Sequence, residues 1–498
     1  MTLRQFPTAQ TSGLDEQGWT PRLVISTIAM VMVVELVALS YTMTSTALPS
    51  ITRHFRTDQG GWLLTCYMLT GAVVSPLLGK LADLHGKRRV LLVALSTATV
   101  GAAVSALAPS FGVLLVGRCL EGVAISGMFL TYSLMRDVYP PRTLPLAASV
   151  SVTGIGAFGV GVPFLVGWLL DTFGFRGMYT FNVIVMILLG VLIRLSTPET
   201  RLRHAARADY AGAVLLGGGL ALVLVAVSKG QQWGWSSASV LGLFAVGLAA
   251  FAGFVLRARR TAEPILNIRL FTRRPILLAA VTGAAAYGAT VVPATILPIL
   301  ALTPASAGRT YGLGMTAFAF AAIASPQAFA QVIGGVTVSR AVRRLAARWC
   351  MVAGLVLIAA AGLFLVFFHD SLWEVLAGAV CDGLGTGLAY GSVPNMVITE
   401  TPPEEQASIA GSVQVCQSGF ASVVPVIMFA IMAGSSTVSA AGVLYAEPGI
   451  RGALLLMVGL AVCGAVLAVT VLAPKRHHAA SVTVSPAPAA LVDGGVDG

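Results

Sequence analysis

The chain has 498 residues, of which 56% are apolar and only 10% charged, with a mean hydropathy of +0.86 and a formal net charge of +11. A soluble domain carries about 25% charged residues, so this chain lacks the polar surface to coat a water-soluble globule. A soluble enzyme, a disordered protein and a secreted disulfide scaffold are excluded, and the 54 Gly and 24 Pro suit the helices of an integral membrane protein.

A hydrocarbon core about 30 Å thick needs roughly 20 apolar residues as a helix, with every backbone polar group satisfied within the segment. Taken in chain order, runs of that length lie at 23–48, 61–81, 90–108, 113–134, 146–170, 178–195, 211–227, 238–255, 276–302, 313–338, 346–368, 372–398, 407–432 and 450–472, which predicts fourteen transmembrane helices. Residues 1–22 mix charges of both signs and lack the apolar core of a signal peptide. They read as a cytoplasmic tail, and helix 1 is expected to stay in the mature protein. Residues 473–498, rich in Ala, Val, Pro and Gly, read as a disordered cytoplasmic tail.

An even number of spans puts both termini on one side. With the N-terminus inside, 24 of the 31 basic residues fall on the cytoplasmic side, six on the other, and Arg118 lies within a span. The clusters Lys87-Arg88-Arg89, Arg257 to Arg274 and Arg340 to Arg348 carry this bias, which fits the positive-inside rule. Glu400, Glu404 and Glu405 make one cytoplasmic loop acidic, but acidic residues count little in that rule. The basic charge therefore reports orientation in a cytoplasmic (inner) cell membrane and calls for no nucleic-acid partner. The six Cys (Cys66, Cys119, Cys350, Cys381, Cys416, Cys463) have no CxxC or His/Cys spacing and are expected to pack, with no metal or redox role.

A faint internal repeat organises the spans. Gly79 to Arg89 reads GKLADLHGKRR between helices 2 and 3, and Gly335 to Arg344 reads GVTVSRAVRR between helices 10 and 11, with Ser339 where an Asp would be expected. Two six-helix bundles, 23–195 and 276–472, are thus in register, with two linker helices inserted over 211–255. Duplicated bundles of this kind carry a substrate site near the midplane between the halves and transport by rocking one against the other.

Several motifs sharpen this. Gly79, Asp83, Gly86, Lys87 and Arg88 resemble the signature loop G-x-L-a-D-r-x-G-r-k of the major facilitator superfamily; Leu114, Arg118, Glu121 and Gly122 resemble its helix 4 motif, with Glu in place of the usual Gln. Gly159, Gly161, Pro163 and Gly167 resemble the helix 5 antiporter motif, although Val162 splits the usual Gly-Pro pair. Arg176 to Asn182 and Asp209 to Gly212 match the segments that follow. The chain is identified as resembling the fourteen-helix drug:proton antiporter branch over nearly its whole length. The resemblance implies an all-α membrane protein with the major facilitator fold, in which the acid of the signature loop latches the outward-facing state. One departure stands out: Leu39 to Pro49 keeps the frame of the branch's helix 1 motif but has Ser40 where an Asp is usual.

Of the 51 charged side chains, four lie well inside apolar spans: Glu35, Arg118, Glu121 and Asp382. Each costs on the order of 2.5–3.5 kcal/mol on insertion scales, so each needs a partner, a hydrated cavity or a proton. Arg118 and Glu121, three apart on helix 4, share a face; either they form a local ion pair, or Arg118 biases protonation of Glu121 or Glu35. Asp382, in the glycine-rich stretch Cys381 to Gly391, is either a structural hydrogen-bonding group or a proton or cationic-substrate site. Asp83 ends helix 2, Gly86 permits the turn, and the basic triplet either gates or only fixes topology. Gly161, Pro163 and Gly167 either bend helix 5 or pack closely.

The family arrangement turns Met128, Phe129, Tyr132, Phe158, Phe318, Tyr390, Gln414, Gln417 and Phe420 toward a cavity, although any one of them could instead simply pack. As a set they describe an apolar site with few hydrogen-bonding groups, suited to a bulky lipophilic solute better than to a sugar. The expected function is export of hydrophobic or cationic small molecules in exchange for protons, by a protein that functions as a monomer in the lipid bilayer. The absence of a GxxxxGK[ST] sequence points away from ATP, so the proton gradient is the expected energy source, with no cofactor and no metal. A dedicated exporter of one endogenous metabolite or lipid and a non-transporting scaffold or sensor are the alternatives. No His cluster, nucleophile elbow or paired carboxylates suggest an enzyme.

Overall fold

The computed structural model describes residues 19–140, 143–200, 209–261, 264, 266, 268–304, 311–342, 344–399, 406–439 and 442–470. The two tails predicted at 1–22 and 473–498 lie almost wholly outside them.

Local sequence sets the helix ends. Thr20 opens α1 (Pro21–Phe55) by accepting from the Leu23 N–H, with Pro21 in the first turn, where a missing donor costs nothing. Between α2 (Gly61–His85) and α3 (Lys87–Leu107) stands Gly86 at φ 103°, a conformation that favours glycine. Ser110 caps α4 (Phe111–Val138), which tightens into a 3-10 turn at Val123–Ser126. The helical stretch Leu144–Ser196 breaks at Gly174 (φ 66°, ψ −176°) into α5 (144–173) and α6 (175–196). Asp209 and Ser237 cap α7 (Tyr210–Trp233) and α8 (Ala238–Arg260). Then come α9 (Arg274–Leu302), α10 (Ala317–Ala341), α11 (Ala347–Phe367), α12 (Leu372–Thr399), α13 (Gln406–Ala433) and α14 (Glu447–Thr470).

Among the described residues, twelve helices are long and apolar enough to cross a membrane, against the fourteen expected. The difference has two sources. The predicted spans 146–170 and 178–195 join without a loop at Gly174 and count once. α12 falls short because Asp382 and the glycines of its middle dilute its hydropathy. The all-helical reading also needs one addition, an antiparallel hairpin of β1 (Ser436–Ser439) and β2 (Gly442–Tyr445) between α13 and α14.

Helices α1–α6 pack on one another, as do α9–α14, and the two groups meet where α2 lies on α13, α5 on α10 and α1 on α9. Among the described residues, the polar contacts found across these seams lie at the end remote from Lys87, here called the far end. There the Thr65 hydroxyl donates to the Ser422 carbonyl at 2.9 Å, and α7 straddles the α2–α13 seam. Trp62 Nε1 donates to Ser228 Oγ at 3.0 Å, and Gln231 Nε2 to the Ala430 carbonyl at 2.9 Å. Within the second group, Gly383 and Gly387 press α12 onto the Gln327 and Gln331 carbonyls of α10, an approach that leaves no room for a Cβ.

Candidate functional site

The largest fully buried side chain in the described molecule is Arg118. Its Nη1 lies 2.7 Å from Glu121 Oε2, and neither side chain has any exposure. Nη1 also donates to Ser40 Oγ at 3.1 Å, Nε to the Leu63 carbonyl at 3.3 Å, and the guanidinium lies 4.4 Å from the centre of the Tyr67 ring. Glu121 accepts at Oε2 from Ser40 Oγ (3.1 Å) and at Oε1 from Ser105 Oγ (2.8 Å). Both carboxylate oxygens are therefore engaged, and the cluster ties α1, α2, α3 and α4 together. Taking two ions out of water costs several kcal/mol each, which a close pair offsets only when its remaining groups are also bonded. That condition is nearly met, since Arg118 Nη2 alone of these polar atoms has no partner. Ser40 and Glu121, two of the departures from the family pattern, are in contact: the negative charge beside Arg118 sits on α4 instead of α1.

Glu35 and Asp382 are differently placed. Glu35 is 4% exposed in α1, and its Oε1 is buried with no hydrogen bond. Asp382 is 1% exposed; Gln327 Nε2 of α10 donates to its Oδ2 at 2.9 Å, while Oδ1 is buried with no hydrogen bond. Thr386, one turn on, also has a buried hydroxyl without a partner. Tyr390, a further turn along, stacks on Tyr287 of α9 with ring centres 4.1 Å apart and pairs its hydroxyl with Thr290 at 2.5 Å. Asp382, Thr386 and Tyr390 thus follow one face of α12 at the four-residue spacing of a helix. Neither Glu35 nor Asp382 hydrogen-bonds to the Arg118 cluster.

In the signature loop, Asp83 is half-buried and makes no hydrogen bond or ion pair among the described residues. Lys87 is buried and pairs with Asp137 of α4 at 2.5 Å, and Thr200 donates to the same carboxylate oxygen at 2.9 Å. Glu199, just past α6, caps α3 by accepting from the Arg88 and Arg89 N–H groups at 2.9 and 3.0 Å, and Arg88 Nη1 donates to the Thr197 carbonyl at 2.9 Å. Lys87 and Arg88 therefore bind the start of α3 to the ends of α4 and α6, besides any influence on topology. Gly79 faces the Phe129 ring of α4.

The helix 5 motif divides. No atoms surround the outer side of Gly159 or Gly161, and Pro163 is buried within α5. Of the motif's three glycines, Gly167 alone faces another element closely, the backbone of Ala317 and Phe318 at the start of α10. Of the residues expected at a cavity, Met128, Tyr132, Phe158, Tyr390 and Gln414 are half-buried, Phe129 and Phe420 more exposed, and Gln417 buried. Gln417 and Phe420 lie against Gly283 and Gly288 of α9. Phe318 stands apart from this set: it is half-exposed at the first turn of α10, with its ring centre 5.7 Å from that of Phe164. Sequence reasoning did not anticipate Ser105, Gln327, Asp137 or Glu199. All four are ordinary polar residues until the fold brings them to a charge.

The sequence profile of the Major Facilitator Superfamily matches residues 30–425, with an overlapping match over 301–493. The chain is 29% identical over 376 residues to the multidrug resistance protein Stp of Mycobacterium tuberculosis, covering 73% of this chain and 67% of that protein. It is 28% identical over 419 residues to the multidrug efflux pump LfrA of Mycolicibacterium smegmatis, covering 82% and 79%. Among solved structures, a bacterial homolog of the human lysosomal transporter Spinster in an inward-facing conformation superposes with a TM-score of 0.63 at 15% identity, covering 91% of this chain and 97% of that one. With most of its length matched by the family profile and its helices arranged on the same fold, the chain belongs to the Major Facilitator Superfamily of membrane transporters.

Proposed function

We propose that this transporter exports hydrophobic or cationic small molecules across the cytoplasmic membrane in exchange for protons. The observation that carries the proton part is the state of the buried acids: Glu35 in α1 and Asp382 in α12 each have a buried carboxylate oxygen that receives no hydrogen bond, one in each group of helices. A buried carboxylate in this condition is stabilised by gaining a proton or a cationic solute. Glu121 serves as the fixed counter-ion of Arg118, taking the place of the acid usual on helix 1. The names of the relatives Stp and LfrA support multidrug export. The mixture of half-buried aromatic, Met and Gln side chains supports a lipophilic solute over a sugar.

The same reading has fourteen membrane crossings, counting α5, α6 and α12 separately, both termini in the cytoplasm, and bundles 23–195 and 276–472 rocking as units about the inserted helices. The protein works as a monomer, with the proton gradient as its energy source. Proteoliposomes with an imposed pH gradient test it: drug-driven proton flux is expected to vanish in the Asp382→Asn, Glu35→Gln double variant, and wild-type flux in that variant would sink the assignment. Ser40 at the usual acid position keeps a second reading open, a dedicated exporter of one endogenous metabolite or lipid. Sensitivity of a deletion strain to a single compound, instead of to many unrelated toxicants, would favour it.

A further inference from the structure

The first turn of α10 is completed by a residue from the other group of helices. A helix start leaves four N–H groups without intrahelical partners. In α10 the Phe320 N–H already makes an intrahelical bond, to the Thr316 carbonyl at 3.0 Å, and of the three helical donors before it the Ala319 N–H finds Thr316 Oγ1 at 3.1 Å, within the local chain. The remaining two go to Asp171, whose Oδ1 accepts from Ala317 at 3.0 Å and whose Oδ2 accepts from Phe318 at 2.8 Å. Asp171 ends α5, one turn after Gly167, and the missing Cβ at Gly167 is what lets α5 come this close to the backbone of Ala317. A carboxylate at a helix N-terminus also gains from the helix dipole.

We propose that Asp171 is the positioning residue that holds the far end shut, a latch of α5 on α10 that must release when the two groups of helices part there. The proposal rests on the reading that these groups rock against each other. The contrast with the basic end supports it. Asp83 occupies the comparable place near the end of α2, yet it makes no hydrogen bond or ion pair among the described residues while Asp171 makes two. Opening the far end would exchange two hydrogen bonds to a carboxylate for water at this exposed seam, so the closed state is favoured by the same contacts that must be broken.

Spin labels at Gly112 and Trp373, exposed far-end positions on α4 and α12, report the separation by double electron–electron resonance in lipid nanodiscs. Asp171→Ala is expected to raise the ratio of long to short distances about fivefold or more, from the loss of one capping acid. Ala317→Pro removes one donor from the opposite side of the latch. It is tolerable because proline suits the first helical position and the extended Thr316 (φ −71°, ψ 160°) suits the residue before it. It should give a smaller shift that adds little to Asp171→Ala. Wild-type distance distributions in a monodisperse Asp171→Ala protein, or full additivity of the two variants, would overturn the latch. Because no drug or proton flux is read, failure of the proton-coupling reading leaves this result intact, and the reverse also holds.

Discussion

Two buried acids in this molecule have opposite surroundings. Glu121 has an arginine one turn away, two hydroxyls from neighbouring helices and no unbonded oxygen. Asp382 has one amide from Gln327 and an oxygen that nothing reaches. A buried carboxylate with a charge partner and full hydrogen bonding is held by its neighbours, and removing it would strand the arginine. A buried carboxylate with one neutral partner can change its protonation without leaving a second charge behind. On the proposed function, the comparison separates an element that holds helices together from one that takes part in a cycle.

The largest expected effect breaks the first of the pair. Glu121→Gln leaves Arg118 buried without a counter-charge, a loss on the order of 3–5 kcal/mol, visible as a lowered thermal unfolding midpoint in detergent. Adding Ser40→Asp returns an acid to the guanidinium from α1 and should recover more than half of that loss. A stable Glu121→Gln protein would show that the pair does not hold the fold.

Asp382→Asn should behave in the opposite way. The amide oxygen still accepts from Gln327, so stability should stay within about 1 kcal/mol of wild type. Proton-driven efflux should fall at least about tenfold, equivalent to roughly 1.4 kcal/mol in the transport barrier. If instead the unfolding midpoint drops as far as in Glu121→Gln, the two acids play the same structural part. The smallest effect sharpens the comparison from outside both sites: Glu199→Ala removes the cap of α3, costing about 1 kcal/mol, and should lower the unfolding midpoint with efflux retained.

Much of this was readable in one dimension. The four intramembrane charges stood out because an apolar span makes each expensive, and the structure buries all four. Gly86 was readable as a turn because a helix that must reverse between Asp83 and Lys87 needs a residue that tolerates φ 103°. The partners were not readable. Ser105, Gln327 and Asp137 are 16, 55 and 50 residues from the groups they meet, and no local pattern marks them. Phe318 sits on a helix that the family arrangement turns toward the cavity. Close approach at Gly167 also brings Asp171 to the start of α10 and places Phe318 at that seam.

The sequence by itself determined that this chain lives in a bilayer, roughly where its helices run and which charges they must hide, because hydropathy and the cost of burying ions act residue by residue. Only the tertiary structure decided which of those ions are compensated and where the helix groups meet. Hydrogen bonds at 2.9–3.1 Å between residues far apart in sequence depend on helix register and close approach, and those are properties of packed pairs of helices.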